Sequence, residues 1–217
     1  MTTLAAILLA CALAVSLALR PWRMLQGGGS TLPALTTPFL AFLVLLPGLW
    51  AWPVGISLPV PLQWSGAALA VLMLGWPLAV PLLALAGTST MLTVGASFQD
   101  AMSVAAWSGV APATAVLTLG QVVRRAFGMH PLAYLAGRAY ATPLVALFGC
   151  ALIATAVRNG FAGVDPSAAI VAAFLMALGE AAWTGAVACL LVAWRPQWLA
   201  TWSDERYLRV HRPAGRA

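Results

Sequence analysis

Long apolar runs alternate along this chain with short polar, proline-rich or glycine-rich interruptions. An α-helix rises about 1.5 Å per residue, so a run of roughly 20 apolar residues crosses the ~30 Å hydrocarbon core of a membrane. The pattern therefore predicts an all-α, polytopic membrane helical bundle, a single domain over residues 1–217, with about six transmembrane helices. The predicted spans are Leu4–Leu19, Pro38–Trp52, Trp64–Leu85, Ala101–Val123, Leu132–Val157 and Ala168–Trp194.

Prolines interrupt the pattern in the first half of the chain. Pro77 and Pro81 lie inside the third predicted span, and each removes a backbone donor and frees a carbonyl within the membrane. Broken helices often line transport sites, although a kinked helix without any site is the alternative. The segment 53–62 (PVGISLPVPL) predicts extended or re-entrant backbone, and residues 87–100 predict a weakly polar loop.

The sixth span has clear signals at both ends. Asp165-Pro166-Ser167 predicts its start, and the belt from Trp194 to Trp198 predicts its exit from the membrane. Residues 199–217 are expected to form a polar cytoplasmic tail. Six spans place both termini on one side, and the arginine count favours the cytoplasm for that side. This arrangement leaves Arg20 and Arg23 outside, which an odd number of spans would avoid.

Composition supports a membrane protein. Of the 217 residues, 62% are hydrophobic and 7% are charged, whereas soluble domains carry about 25% charged residues. The net charge of +6 comes from arginine in short flanks, which set topology and contact anionic lipid head groups. We therefore expect a multi-pass protein of the bacterial inner membrane that contacts lipid and does not bind nucleic acid.

Glu180 lies near the centre of the sixth span. An acid at the bilayer centre costs about 2.5–3.5 kcal/mol or more, so it is by default a functional-site hypothesis. The alternative is that Glu180 hydrogen-bonds a neighbouring helix and only braces the bundle. Thr184, Arg138 and Pro77 join it as candidates for a substrate pathway or for helix packing. Arg138 is expected either to extend towards the interface or to pair with Glu180.

Enzyme signatures are missing from the sequence. It contains no GxSxG, no HExxH and no paired carboxylates at helical spacing, so we predict no catalytic residue and no enzymatic activity. His130 remains as a weak candidate metal ligand. The alternative interpretation is that it is a solvated histidine in a loop. No cofactor is predicted.

The last fifty residues resemble a known family. The segment Leu178–Gly185 (LGEAAWTG) is similar to the late Gly-Glu-x-x-x-Thr segment of the CbiM-type membrane permeases of cobalt transport, and Trp194–Trp198 with Thr201–Leu208 is similar to the ending of a divergent branch. Residues 74–78 and 129–134 fit that branch more loosely. These permeases are the substrate-capturing components of energy-coupling-factor ABC transporters for cobalt and nickel.

The resemblance implies a membrane permease component that captures a small substrate, such as Co²⁺ or Ni²⁺. It also implies a transmembrane coupling subunit and ABC ATPases as partners. The metal-capturing members begin with Met-His, whereas this chain has Thr2, so the resemblance carries over the fold and the membrane role and no metal site. A scaffold or assembly protein that keeps the permease fold without metal ligands is the alternative function.

Overall fold

Helices form all the regular structure of the computed structural model, which describes residues 2–26, 34–51, 63–158 and 165–208. No strand occurs within those ranges. The α-helices are α1 (Thr2–Ala18), α2 (Thr36–Ala51), α3 (Ala67–Leu74), α4 (Trp76–Thr93), α5 (Phe98–Val104), α6 (Ala111–Phe127), α7 (Thr142–Arg158), α8 (Pro166–Trp194) and α9 (Asp204–Tyr207). A π-helical segment, Ala105–Val110, joins α5 to α6, and another, Ala133–Ala141, leads into α7. Short 3₁₀ turns span Pro21–Leu25 and Pro196–Trp198.

Among the described residues, four helices are long and apolar enough to cross a membrane: Trp76–Thr93, Phe98–Phe127, Ala133–Val157 and Pro166–Trp194. They mark the chain as a membrane protein and confirm the helical bundle. The helices α1 and α2 are apolar but shorter, with 17 and 16 residues, so the count of six spans stays a prediction. The third predicted span, Trp64–Leu85, is in fact two helices, α3 and α4, that meet at Gly75.

The predicted loop over residues 87–100 is mostly wrong. Helix α4 continues to Thr93 and α5 begins at Phe98. The hydroxyls of Thr88, Ser89 and Thr90 donate to carbonyls three residues earlier, at distances of 2.6–2.9 Å. These local bonds satisfy the polar groups within the helix, so a cluster of hydroxyl residues did not end it. The proline-rich segment 53–62 lies outside the described residues.

Helix α4 runs antiparallel to the long helix 98–127. Trp76 Nε1 donates to Thr114 Oγ1 at 3.1 Å at one end of the contact, and Gly87 lies against Ala105 at the other. A Cβ atom added to Gly87 would overlap the Cβ of Ala105. The two backbones therefore approach so closely that only glycine fits at position 87, as in other helix pairs within membranes.

The start of α8 agrees with the sequence. Asp165 precedes the helix, its carboxylate accepts the Ser167 N–H at 3.2 Å, and Pro166 occupies the first turn. The hydroxyl and backbone N–H of Ser167 lower the pKa of the exposed Asp165 carboxyl from its ordinary value.

The segment after α8 packs onto the bundle through aromatic residues. Trp202 and Tyr207 are buried, and their rings stack with centroids 4.6 Å apart. Tyr134, at the start of the helix 131–158, contacts both rings edge-on, at 4.8 and 5.2 Å. Aromatic residues thus fix residues 199–208 to the end of the bundle. Residues 209–217 lie outside the described part of the chain.

Arg20 and Arg23 lie at the same end of the bundle as this packed segment. Met24, the residue after Arg23, lies beside Gly75: its Cε would be 3.4 Å from a Cβ atom at that glycine, and the Cβ of Ala200 would be 3.7 Å from the same point. These two arginines and the C-terminal segment therefore share one end of the bundle, whereas the six-span arrangement places them on opposite sides. Helix α1 runs towards this shared end.

Candidate functional site: a buried half-helix and Glu180

The short helix α3 lies inside the bundle. Seven of its eight residues are buried. It begins after Gly66, whose φ is +69°, and ends at Gly75, whose φ and ψ are +76° and +154°. Both are conformations that glycine adopts readily and other residues avoid. A helix of eight residues is not stable alone, so partners for its free backbone groups decide whether it forms.

Glu180 supplies the partner at the start of α3. Its Oε2 accepts the Ser65 N–H and its Oε1 accepts the Gly66 N–H, each at 2.8 Å. Glu180 is 3% exposed. These two N–H groups lie directly before the first turn of α3, close to the positive end of its helix dipole, where a negative group is favoured. We call this group, Glu180 with Ser65 and Gly66, the Glu180 anchor.

Ser65 connects the anchor to two other elements. Its carbonyl accepts the indole N–H of Trp50 from α2 at 3.1 Å, and its hydroxyl donates to the carbonyl of Ser108 at 2.6 Å. Ser108 in turn donates its hydroxyl to Gln63 Oε1 at 3.0 Å. The start of α3 is thus bonded to α2, to the π-helical segment and to α8.

The segment after α8 binds the other end of α3. Ala200 donates its N–H to the carbonyl of Met73 at 2.9 Å, and Thr201 donates its hydroxyl to the carbonyl of Leu72 at 2.9 Å. The Thr201 hydroxyl also lies 2.8 Å from the Tyr134 hydroxyl. Helix α8 and the segment that follows it therefore contact both ends of α3, through Glu180 at its start and through Ala200 and Thr201 at its end.

The backbone carbonyls near Pro77 that have no donor within their own helix accept hydrogen bonds from other parts of the chain. The Met73 carbonyl lies in the last turn of α3 and has no helical donor because that helix ends at Gly75, and Ala200 binds that carbonyl as described above. Pro81 leaves the Pro77 carbonyl without one, and the Ser16 hydroxyl of α1 donates to it at 2.6 Å. The third predicted span is interrupted, but the break lies at Gly75, and Pro77 occupies the first turn of α4. The free carbonyls of Met73 and Pro77 bind the C-terminal segment and α1, so they serve helix packing.

Two further candidates are buried without strong partners. Thr184, one turn after Glu180, is 0% exposed, and its hydroxyl has no hydrogen-bond partner within the described residues. Arg138 is 8% exposed and lies against Gly120, where a Cβ atom would be 3.3 Å from its Nε. Its guanidinium carbon is 6.0 Å from the centre of the Tyr134 ring. Both Glu180 oxygens bind α3, and no ion pair joins Arg138 to Glu180.

His130 is exposed before the helix that starts at Pro131. Its Nδ1 accepts the Leu132 N–H at 3.2 Å. Within residues 2–26, 34–51, 63–158 and 165–208, no group of three His, Cys, Asp or Glu side chains lies close enough together to bind one metal ion. Of the residues predicted from the sequence, only Glu180 and Thr184 lie together.

Ser65 and Gly66 are the residues of this site that the sequence interpretation missed. A serine followed by a glycine directly before an apolar, alanine-rich run is a recognisable helix start. The predicted span began at Trp64, which included that signal within a longer helix and so hid it.

Comparisons with protein-family models, with curated proteins and with solved structures find no match to this chain.

Proposed function

We propose that the chain is the substrate-binding membrane permease component of an energy-coupling-factor-type ABC transporter. The observation that supports this function best is the half-helix α3, which begins inside a membrane bundle at a buried carboxylate and ends at Gly75. Discontinuous helices that end within the bilayer are typical of transporters, because their ends bring backbone dipoles to the membrane interior. The resemblance of residues 178–208 points to the same class.

A permease of this class needs an external energy source. The sequence has no lysine and therefore no Walker A motif. ABC ATPases and a transmembrane coupling subunit are accordingly the proposed partners. The exposed alanines at positions 10, 14 and 18 on α1 form a surface of small residues that favours close packing with a partner helix.

Transition-metal ions, Co²⁺ or Ni²⁺, are the substrates that the resemblance supports. Glu180 would act in this function through α3: its oxygens bind the Ser65 and Gly66 N–H groups, so a change of α3 position would change the environment of the carboxylate. Thr184 adds, one turn away, a hydroxyl that has no hydrogen-bond partner among the described residues.

The second candidate function is a membrane scaffold or assembly protein. The specific observation in its favour is that both Glu180 oxygens and the carbonyls of Met73 and Pro77 already accept hydrogen bonds from the protein itself. These groups stabilise the bundle, and in a scaffold or assembly protein they need no further role in binding a substrate.

Affinity purification from the native host, followed by an uptake assay, distinguishes the two functions. For a permease, a protein with Walker motifs co-purifies in fixed stoichiometry, and the complex in proteoliposomes accumulates radioactive cobalt or nickel only with ATP. Elemental analysis of the purified chain measures bound metal directly. If the purified complex contains no ATPase and a deletion strain accumulates metal as before, the results would favour the scaffold function over the permease.

A further inference from the structure

A polar pocket at the arginine-containing end of the bundle is separate from the Glu180 anchor. Its volume is about 190 Å³, and its lining includes the polar residues Arg124, Arg138, Thr201, Ser203 and Tyr207. The pocket lies between the end of α6, the π-helical segment 133–141 and the segment after α8. We call it the arginine pocket.

Arg138 is the unusual residue of this pocket. It is more than nine-tenths buried, yet no hydrogen bond or ion pair links its guanidinium to any of the described residues. The Tyr134 ring, 6.0 Å away, offers only a weak cation–π contact. A buried charge without a counter-ion is unfavourable, so native proteins pair such groups or bind a ligand of opposite charge there.

The second arginine makes the pocket a site for an anion. Arg124 is half-buried and lines the same pocket. Two guanidinium groups that face one pocket repel each other unless an anion lies between them. The planar guanidinium can bind two oxygens of one phosphate group at once. Ser203 and Tyr207 add two hydroxyls that make no hydrogen bond to the described part of the chain.

We propose that the arginine pocket binds a phosphate group, through the guanidinium groups of Arg124 and Arg138. Two sources present this chemistry at the end of a membrane bundle: the headgroup of an anionic phospholipid and a soluble phosphate monoester. This site does not depend on the proposed transport function, because its residues differ from the Glu180 anchor and it requires no partner subunit.

Binding to delipidated, purified protein tests the site. The lipid arm uses native mass spectrometry with phosphatidylglycerol, with phosphatidylcholine as the zwitterionic comparison. The soluble arm uses calorimetry with glycerol 3-phosphate and inorganic phosphate. The variants are Arg124→Gln and Arg138→Gln, and Arg125→Gln is the matched control, because the adjacent Arg125 does not line the pocket. If Arg138→Gln does not fold, Arg138→Lys, which retains the positive charge, is used in its place.

Loss of either pocket arginine is expected to weaken binding by about 10-fold or more, whereas Arg125→Gln changes it less than about 2-fold. Preference for phosphatidylglycerol without affinity for the soluble phosphates identifies a lipid site, and the reverse identifies a soluble ligand. Equal weakening in all three glutamine variants would overturn the proposal in favour of general surface charge. So would the absence of phosphate binding in both arms.

Discussion

Glu180 satisfies two backbone donors at once, which explains why an acid occupies this buried position. Each carboxylate oxygen accepts one N–H, from Ser65 or Gly66, at 2.8 Å. Glutamine has nearly the same shape but only one oxygen, so it accepts from one of these groups and places an amide donor against the other. The helix dipole of α3 also favours a negative group at this point.

Glu180→Gln is therefore expected to lower the free energy of unfolding by about 1–3 kcal/mol, because one buried N–H loses its acceptor. Glu180→Ala should cost more, since both donors lose theirs. Thermal unfolding in detergent measures the difference. Leu190→Ala, at an outward-facing position of α8, is the control. Equal stability of Glu180→Gln and the native chain would show that the anchor contributes little.

Gly75 allows the chain to break between α3 and α4. Its φ of +76° and ψ of +154° belong to a region that is essentially restricted to glycine. Gly75→Ala is expected to destabilise the protein by about 1–3 kcal/mol. Gly149→Ala in α7 is the matched control, because nothing lies within 4 Å of its added Cβ atom. If both variants unfold at the same temperature, α3 and α4 do not require this backbone conformation.

At the scale of elements, backbone carbonyls that lack a helical donor accept hydrogen bonds from other elements. Ser16 of α1 binds the Pro77 carbonyl, which Pro81 leaves without a donor, and Ala200 binds the Met73 carbonyl at the end of α3. Proline removes the intrahelical donor and thereby creates an acceptor for a neighbour. Interruptions in these helices thus connect the helices to one another.

A double-mutant cycle tests this pairing. Ser16→Ala should cost about 1 kcal/mol, because the Pro77 carbonyl loses its donor. In the Pro81→Ala background the backbone N–H restored at position 81 can bind that carbonyl, so Ser16→Ala should then cost much less. Thermal unfolding of the four proteins gives the coupling. Thr155→Ala is the control hydroxyl deletion, because Thr155 donates only within its own helix, to Ala151. Additive effects would contradict the pairing.

The sequence predicts the long helices well and the interior of the bundle poorly. Asp165-Pro166 marks the start of α8 because a cap acts within one turn of chain. An interruption of the third span was predicted at Pro77 and Pro81, but its position at Gly75 was not, since the contacts that hold α3 come from Ala200, Thr201 and Glu180, more than 100 residues away in sequence. Glu180 was recognisable from its cost in a membrane, but its partners were not, because backbone donors leave no residue-type signal.

For the whole molecule, the position of the arginines indicates an orientation. Met24, Gly75 and Ala200 lie together, and Ala200 and Arg124 line the same pocket. The basic segments around residues 20–23, 124–125 and 195 therefore share one end of the bundle. Basic residues accumulate on the cytoplasmic side of membrane proteins. Since α1 runs towards this end, its start at Thr2 points to the opposite side.

Cysteine labelling tests this orientation. In a background with Cys11, Cys150 and Cys189 replaced by alanine, Thr3→Cys should react with a membrane-impermeant maleimide added outside intact cells. Gln26→Cys, at the basic end, should react only after the membrane is permeabilised. A protected Thr3→Cys with an accessible Gln26→Cys would reverse the orientation, and access to both from outside would place α1 outside the membrane.

The central claim is that the Glu180 carboxylate fixes the start of the half-helix α3, and amide hydrogen exchange in detergent measures this most directly. In the native chain the peptide that contains Ser65 and Gly66 should be strongly protected, as the surrounding bundle is. In Glu180→Gln, exchange at this peptide should accelerate by about 10-fold or more, since each 1.4 kcal/mol corresponds to a factor of ten, while peptides of α6 and α7 keep their protection. Unchanged exchange of Ser65 and Gly66 in a folded Glu180→Gln protein would contradict the claim.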